Sequence, residues 1–180
     1  SSKKAHWSNR KQGQAFFHQQ NIGSTHESSL HFSETQMANI QLQHSKEEVF
    51  VAPIYPDTEL FRFTTAYYLD RQKTIDDGLA KVVQELETAR ELENTFVFYF
   101  GDHGGVLPAS KGYIYERGLH VPLVVRIPEN FKHLVDADFG NRIKGFVQFI
   151  DFGPTALKLA GIETPKDMDG KAFIGEDISK

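Results

Sequence analysis

Apolar residues fall along the chain in two contrasting patterns, one with a period near 3.6 and one of short continuous runs. From about Thr65 to Leu92 the residues Leu69, Ile75, Leu79, Val82, Val83, Leu86, Ala89 and Leu92 recur at helical spacing, which predicts one amphipathic helix with a single core-facing stripe. Glu93-Asn94 closes it, and Thr95 to Phe100 follows, β-branched and aromatic and of strand length. A run apolar on both faces after an amphipathic helix suits a central strand of a parallel sheet. Val121 to Ile127 is a second such run and Phe146 to Ile150 a shorter third. Asp151 then caps a helix with Pro154 in its first turn and Gly161 just past its end. Upstream, Gln14 to Ile22 is a short β-prone run ending in a turn at Gly23-Ser24-Thr25-His26, and Glu27 to about Thr65 is irregular, with turns at Pro53 and Pro56 and room for one short helix. Residues 1–13 are polar and expected to be loose. The alternation of strand and helix predicts an α/β fold, a mostly parallel sheet flanked by helices.

Composition narrows the function classes. A chain of 180 residues is of single-domain length and long enough to bury a real core, to which 15 Phe and 6 Tyr contribute much apolar area. The net charge of −4 and the lack of a Lys/Arg-dense block argue against nucleic acid as a partner. With no cysteine there is no disulfide, no thiolate metal ligand and no Cys nucleophile. No apolar run approaches the roughly 20 residues of a membrane span, and the first residues carry no signal-peptide core.

Three features carry chemistry. In open α/β sheets ligands bind beyond the carboxyl ends of the strands, and Asp102-His103-Gly104-Gly105 leaves the run ending at Phe100 at such an edge. Asp102 offers a hard anionic oxygen, His103 a nitrogen, and the glycines let backbone pass close to a ligand. Ser110-Lys111-Gly112 lies in a loop that can fold the Lys111 ammonium back over that edge, where it would neutralise an oxyanion. His26, in the turn after the Phe16-Phe17 run, can donate to a bound oxyanion or protonate a leaving alkoxide, and Glu27 beside it could touch a sugar. His18, His31, His44 and His133 read as surface or packing residues, His120 as a weak candidate, and Glu116 and Arg117 as a pair within their turn.

Together, Phe-Gly-Asp-His-Gly-Gly at 100–105, Ser-Lys-Gly-Tyr-Ile-Tyr-Glu-Arg-Gly at 110–118 and His-Val-Pro-Leu-Val-Val at 120–125 resemble the sulfatase family of the alkaline-phosphatase superfamily. There a strand is followed by an Asp-Asn or Asp-His pair, a Lys-Gly segment, a Tyr-Glu-x-Gly turn and a Val-Pro strand. Ala15-Phe16-Phe17 through His26-Glu27-Ser28 is similar to the family's Pro-Phe-Phe strand and substrate-facing His, and Asp151 through Gly161 to its late Asp-x-x-Pro-Thr helix. The resemblance covers about residues 14–175. It implies that Asp102 and His103 bind a divalent cation, calcium by family usage with magnesium or manganese as alternatives. It further implies that Lys111 and His26 contact the sulfate of a small-molecule or glycan sulfate ester, and that the parent enzyme is exported.

The departures shape the expectation. The family attacks with a formylglycine made in a Cys/Ser-x-Pro/Ala-x-Arg motif, which this chain lacks, and Asp76-Asp77 lies on the amphipathic helix and is rejected as the paired metal aspartates. The chain is therefore expected to be the middle and late part of a sulfatase catalytic domain, an incomplete domain whose nucleophile region and carboxyl-terminal subdomain lie in the remainder of the polypeptide, and to be inactive alone. A phosphodiesterase or phosphonate hydrolase of the same superfamily, or a non-catalytic fragment, are the alternatives.

Overall fold

A computed structural model describes residues 6–137, 140–176 and 178; parts of the loose segment expected at 1–13 lie outside the described residues. The chain divides into two compact units, one of residues 1–82 and 103–120, the other of residues 83–102 and 121–180.

The first unit is helical. Trp7 is buried, its ring stacked on Phe16 with centroids 5.6 Å apart and the Arg10 guanidinium over both. This gives part of the 14–22 run an in-and-out alternation, Phe16 inward and Phe17 exposed, but no ladder partner, so the strand expected there does not form among the described residues. Helix α1 spans Glu34–Asn39 and is opened by a full capping box between Ser33 and Gln36. Helix α2 spans Glu59–Thr88, beginning six residues before the expected start, and ends in the second unit. Thr58 Oγ1 accepts the Phe61 N–H at 3.4 Å, an N-cap that the irregular pattern before Thr65 conceals. Phe63 and Ala66 of α2 are buried, and Phe32 packs edge-on against Phe63 at 5.0 Å. The Asp70 carboxylate takes the backbone N–H groups of Gln43 and His44 and the His44 ring, anchoring the connecting segment to α2. A four-residue helix, α3, spans Glu116–Leu119. Asp76 and Asp77 are exposed, and Asp77 pairs with Lys73 one turn earlier, consistent with a solvated helix face.

In the second unit α2 stops without a glycine. Arg90 adopts φ 58° and Glu91 N–H closes on the Leu86 carbonyl at 2.9 Å, so the helix ends short of Leu92. Strands β1 (Val97–Phe100) and β2 (Leu123–Arg126) follow, paired antiparallel with Val97 opposite Arg126 and Phe100 opposite Leu123. The mostly parallel sheet expected from the sequence is thus corrected: among the described residues the sheet has these two strands, antiparallel. Parallel neighbours need a crossover, usually a helix laid along the sheet. Residues 101–122 hold no such helix, and Gly101 N–H bonding the Pro122 carbonyl at 3.2 Å brings the chain back at the end where it left. The third strand expected at 146–150 is instead an irregular segment entering a 3₁₀ turn at Phe149–Asp151. Helix α4 spans Phe152–Leu159, starting after Asp151 with Pro154 in its first turn as expected, but the Asp151 side chain makes no cap bond to it. Asp151 ties its start to its surroundings, accepting Gln148 N–H and Lys171 N–H at 2.8 Å each, while the buried Thr155 hydroxyl accepts Phe173 N–H. Phe98, Phe100, Phe149, Phe152 and Phe173 form an aromatic cluster joining the strands to α4, with Phe100 and Phe152 stacked at 4.8 Å and Phe100 and Phe149 still exposed on one side.

Candidate active site

The segment from His103 to His120 is folded back on itself by two backbone crossings that tolerate only glycine. Gly104 N–H bonds the Gly118 carbonyl at 3.1 Å, and a Cβ on Gly104 would stand 2.0 Å from the Arg117 carbonyl oxygen. A Cβ on Gly118 would stand 2.1 Å from that of Tyr113. The buried Ser110 hydroxyl donates to the Arg117 carbonyl at 2.8 Å, and Lys111 N–H bonds the Gly105 carbonyl at 2.9 Å. Ala109 holds a left-handed φ of 62° just before this clasp, and Gly112 one of 81° just after it. Lys111 is therefore presented from a rigid turn. Gly118→Ala should destabilise the protein by more than about 2 kcal/mol, since backbone rather than a movable side chain blocks the new methyl; a melting temperature within a degree of wild type would show that the clasp is loose.

Lys111 Nζ reaches back to Glu27 Oε2 at 2.9 Å across 84 sequence positions. Its hydrogen bond and charge hold the Glu27 carboxyl below the usual glutamate range. A depressed carboxyl pKa contributes stability that is present above the unfolded value and lost as pH falls through the folded one. A carbon-13 titration of Glu27 should accordingly move back up to the ordinary range in Lys111→Ala. An unmoved titration would mean that the pair does not persist in solution.

His26 precedes Glu27 and caps the 3₁₀ turn Glu27–Leu30. Its Nδ1 accepts the Ser28 N–H at 3.3 Å, so in the neutral ring the proton sits on Nε2, a donor suited to an oxyanion. His103 has the opposite tautomer. Its Nδ1 lies 2.7 Å from the Gly104 carbonyl oxygen, which can only accept, so the lone pair sits on Nε2, the form a cation needs.

Asp102 follows β1 in the second unit, and both it and His103 are exposed. They offer one carboxylate and one imidazole. Among the described residues no group of three His, Cys, Asp or Glu side chains gathers around a common point. Calcium takes six to eight oxygen ligands. By donor chemistry each residue can give a divalent cation one ligand, an Asp102 oxygen or a His103 nitrogen, and neither makes a complete site.

The remaining candidates are otherwise engaged. His44 is held by Asp70 at 2.6 Å, and Glu116 pairs with His120 at 2.6 Å rather than with Arg117, whose guanidinium lies over the Tyr55 ring. The sequence names Ser110 only as the residue before Lys111 and gives no sign of its clasp, nor of Tyr68, whose hydroxyl is 2.6 Å from where a Gly105 Cβ would be. A serine hydroxyl aimed at a carbonyl seven residues ahead leaves no local signature, whereas the glycine pair at 104 and 118 gave the available hint.

The sulfatase family profile matches residues 5–162. The chain belongs to the sulfatase family. It is 33% identical to the ulvan-active sulfatase of Formosa agariphila, over the whole of this chain and 34% of that protein. It is 31% identical to the N-acetylglucosamine-6-O-sulfatase of Bacteroides thetaiotaomicron over 59% of this chain and 19% of that protein. To human N-acetylglucosamine-6-sulfatase the figures are 36%, 56% and 18%. The chain thus spans about a third or less of these sulfatases. The family's fold is of the alkaline-phosphatase-like α/β type, of which the helices and the antiparallel pair are the part described here. Among the described residues, no helix is long and apolar enough to cross a membrane.

Proposed function

We propose that this chain is part of a sulfatase that hydrolyses the sulfate ester of a sulfated sugar or glycan, with Lys111 and His26 at the sulfate and Asp102 and His103 contributing two ligands to a divalent cation, calcium first. The observation that carries the reading is the 2.9 Å tie from Lys111 to Glu27, which brings the cationic loop beside the His26 turn in a chain of this family. The relatives named for sulfated sugars favour a glycan ester over other esters. The formylglycine and the remaining cation ligands belong, on this proposal, to other parts of the parent protein.

When bound, the cation supplies positive charge beside the sulfate oxygens and the formylglycine supplies the attacking oxygen. The residues of this chain do the rest. Lys111 leaves Glu27 and donates to a sulfate oxygen, neutralising charge that Glu27 otherwise takes up. His26 donates from Nε2 towards the oxygen that bridges sulfur and carbon. In its doubly protonated form Nδ1–H can turn its bond to Ser28 Oγ, 2.9 Å away, and Nε2 hands its proton to the leaving alkoxide. That transfer leaves the remaining proton on Nδ1, and exchange with solvent (loss from Nδ1, uptake at Nε2) restores the Nε2–H tautomer whose Nδ1 caps the Glu27–Leu30 turn.

Incubating the intact parent protein with a panel of sugar sulfates and of phosphate diesters, and measuring released sulfate and phosphate by ion chromatography, tests the reading. Sulfate release that stops on chelation and returns with calcium is the expected result. Faster cleavage of the diesters would give the site to a phosphodiesterase instead.

A further inference from the structure

Beside the Lys111–Glu27 tie lies a cleft of about 360 Å³ in the first unit. Its size sits at the lower end of small-ligand sites, which run from about 300 to 1,000 Å³. Its walls are mainly apolar, with Phe32, Phe61 and Leu107 prominent, and its polar side chains are Glu27, His31 and Thr64. Among the described residues no lysine or arginine lines it. The walls are braced from behind: Phe32 packs on Phe63 at 5.0 Å, Phe61 stacks on Tyr55 at 5.3 Å, and Tyr55 donates its hydroxyl to the Pro108 carbonyl at 2.6 Å.

We infer that this cleft is the subsite for the leaving group, and that it selects a single sugar ring that carries no charge besides its sulfate ester. The inference rests on the sulfate-ester reading above and adds the class of alcohol released. Glu27 joins the two halves of the site: its carboxylate is paired to Lys111, and the residue forms part of the cleft lining. Once Lys111 turns to the sulfate, Glu27 faces the cleft as an anion. It then accepts hydrogen bonds from sugar hydroxyls and repels a uronate or a second sulfate, which would find no lysine or arginine in the walls. The phenyl and aliphatic walls suit the apolar face of a pyranose.

Glucose 3-sulfate and glucuronate 3-sulfate, which differ only at carbon 6, are the probes, with inorganic sulfate as reference for the anion end; dissociation constants are taken by competition calorimetry on the intact protein. The wild type should bind glucose 3-sulfate at least about tenfold more tightly than glucuronate 3-sulfate, and Glu27→Gln should bring that ratio towards one. Thr64→Phe and Leu107→Trp, which fill the cleft, should weaken glucose 3-sulfate by roughly tenfold or more while leaving inorganic sulfate unchanged. Equal binding of the two sugars by the wild type, or filled variants that bind glucose 3-sulfate as the wild type does, would overturn the inference. Failure to bind inorganic sulfate at all would instead take down the sulfate-ester reading, and this inference with it.

Discussion

Asp102→Ala in the intact protein is expected to lower kcat/KM for sulfate ester hydrolysis by about a thousandfold or more. A bound cation contributes several kcal/mol of charge stabilisation, and each 1.36 kcal/mol is a factor of ten, so its loss reaches that range. Asp102 is the only carboxylate that this chain is proposed to give the cation, and His103 cannot replace it, since a lone imidazole is a poor calcium ligand. Elemental analysis should show calcium below stoichiometry in the variant. Asp102→Asn keeps an oxygen and loses the charge; it should fall between, and recover part of its rate when calcium is raised. His103→Asn makes a separate point: an amide oxygen suits calcium at least as well as a nitrogen does, so this variant should hold calcium and lose relative affinity for manganese. Near-normal turnover of Asp102→Ala would remove this residue from the site.

The parts of the fold that the sequence made legible are those ruled by local chemistry. The apolar stripe of α2 and the Asp151–Pro154 start of α4 are decided within a few residues, and both helices form. The direction of β2 is not a local property. A doubly apolar run such as Thr95–Phe100 looks the same in a parallel or an antiparallel neighbourhood, and the choice was made by how residues 101–122 return. Gln14–Ile22 and Phe146–Ile150 show the same limit, since β-prone residues make a strand only where another backbone offers a ladder. The two missed boundaries of α2 have separate causes. Thr58 caps from within a polar stretch, and the stop at Arg90 uses a left-handed residue that is not glycine.

The candidate site was legible as residue types and not as geometry. Gly104, Gly118 and Lys111 stand out in the sequence, but nothing there says that Gly104 must cross Arg117 at a distance no Cβ permits. By sequence Glu27 is a sugar contact beside His26; its pairing with Lys111 is a long-range contact, fixed by the packing of the first unit. The opposite tautomers of His26 and His103 depend on which backbone group each ring meets, a Ser28 N–H for one and a Gly104 carbonyl for the other. Those partners are near in sequence, yet they follow from backbone angles that composition does not give.

Lys111→Ala should cost about 2–4 kcal/mol of transition-state stabilisation, the range for removing one preorganised oxyanion donor, which is roughly a 30- to 1,000-fold fall in rate. The loss should appear in kcat as well as KM, because charge on the sulfate oxygens is redistributed as the S–O bond breaks and the fixed ammonium answers that change. Lys111→Arg should not restore the rate. A guanidinium offers Glu27 a planar two-pronged partner, and the stronger pair would hold the cation on the glutamate instead of on the sulfate. Glu27→Gln separates this from a purely structural role. Without the competing carboxylate the Lys111 ammonium is available to an anion, so inorganic sulfate should bind more tightly, and the gain should shrink as salt screens the exposed charges. If Lys111 only fastened the loop to Glu27, then Glu27→Gln and Lys111→Ala would damage the protein alike and both would weaken sulfate. Opposite changes in sulfate affinity from the two variants are what the oxyanion role requires, and an unchanged rate in Lys111→Ala would remove the lysine from the chemistry.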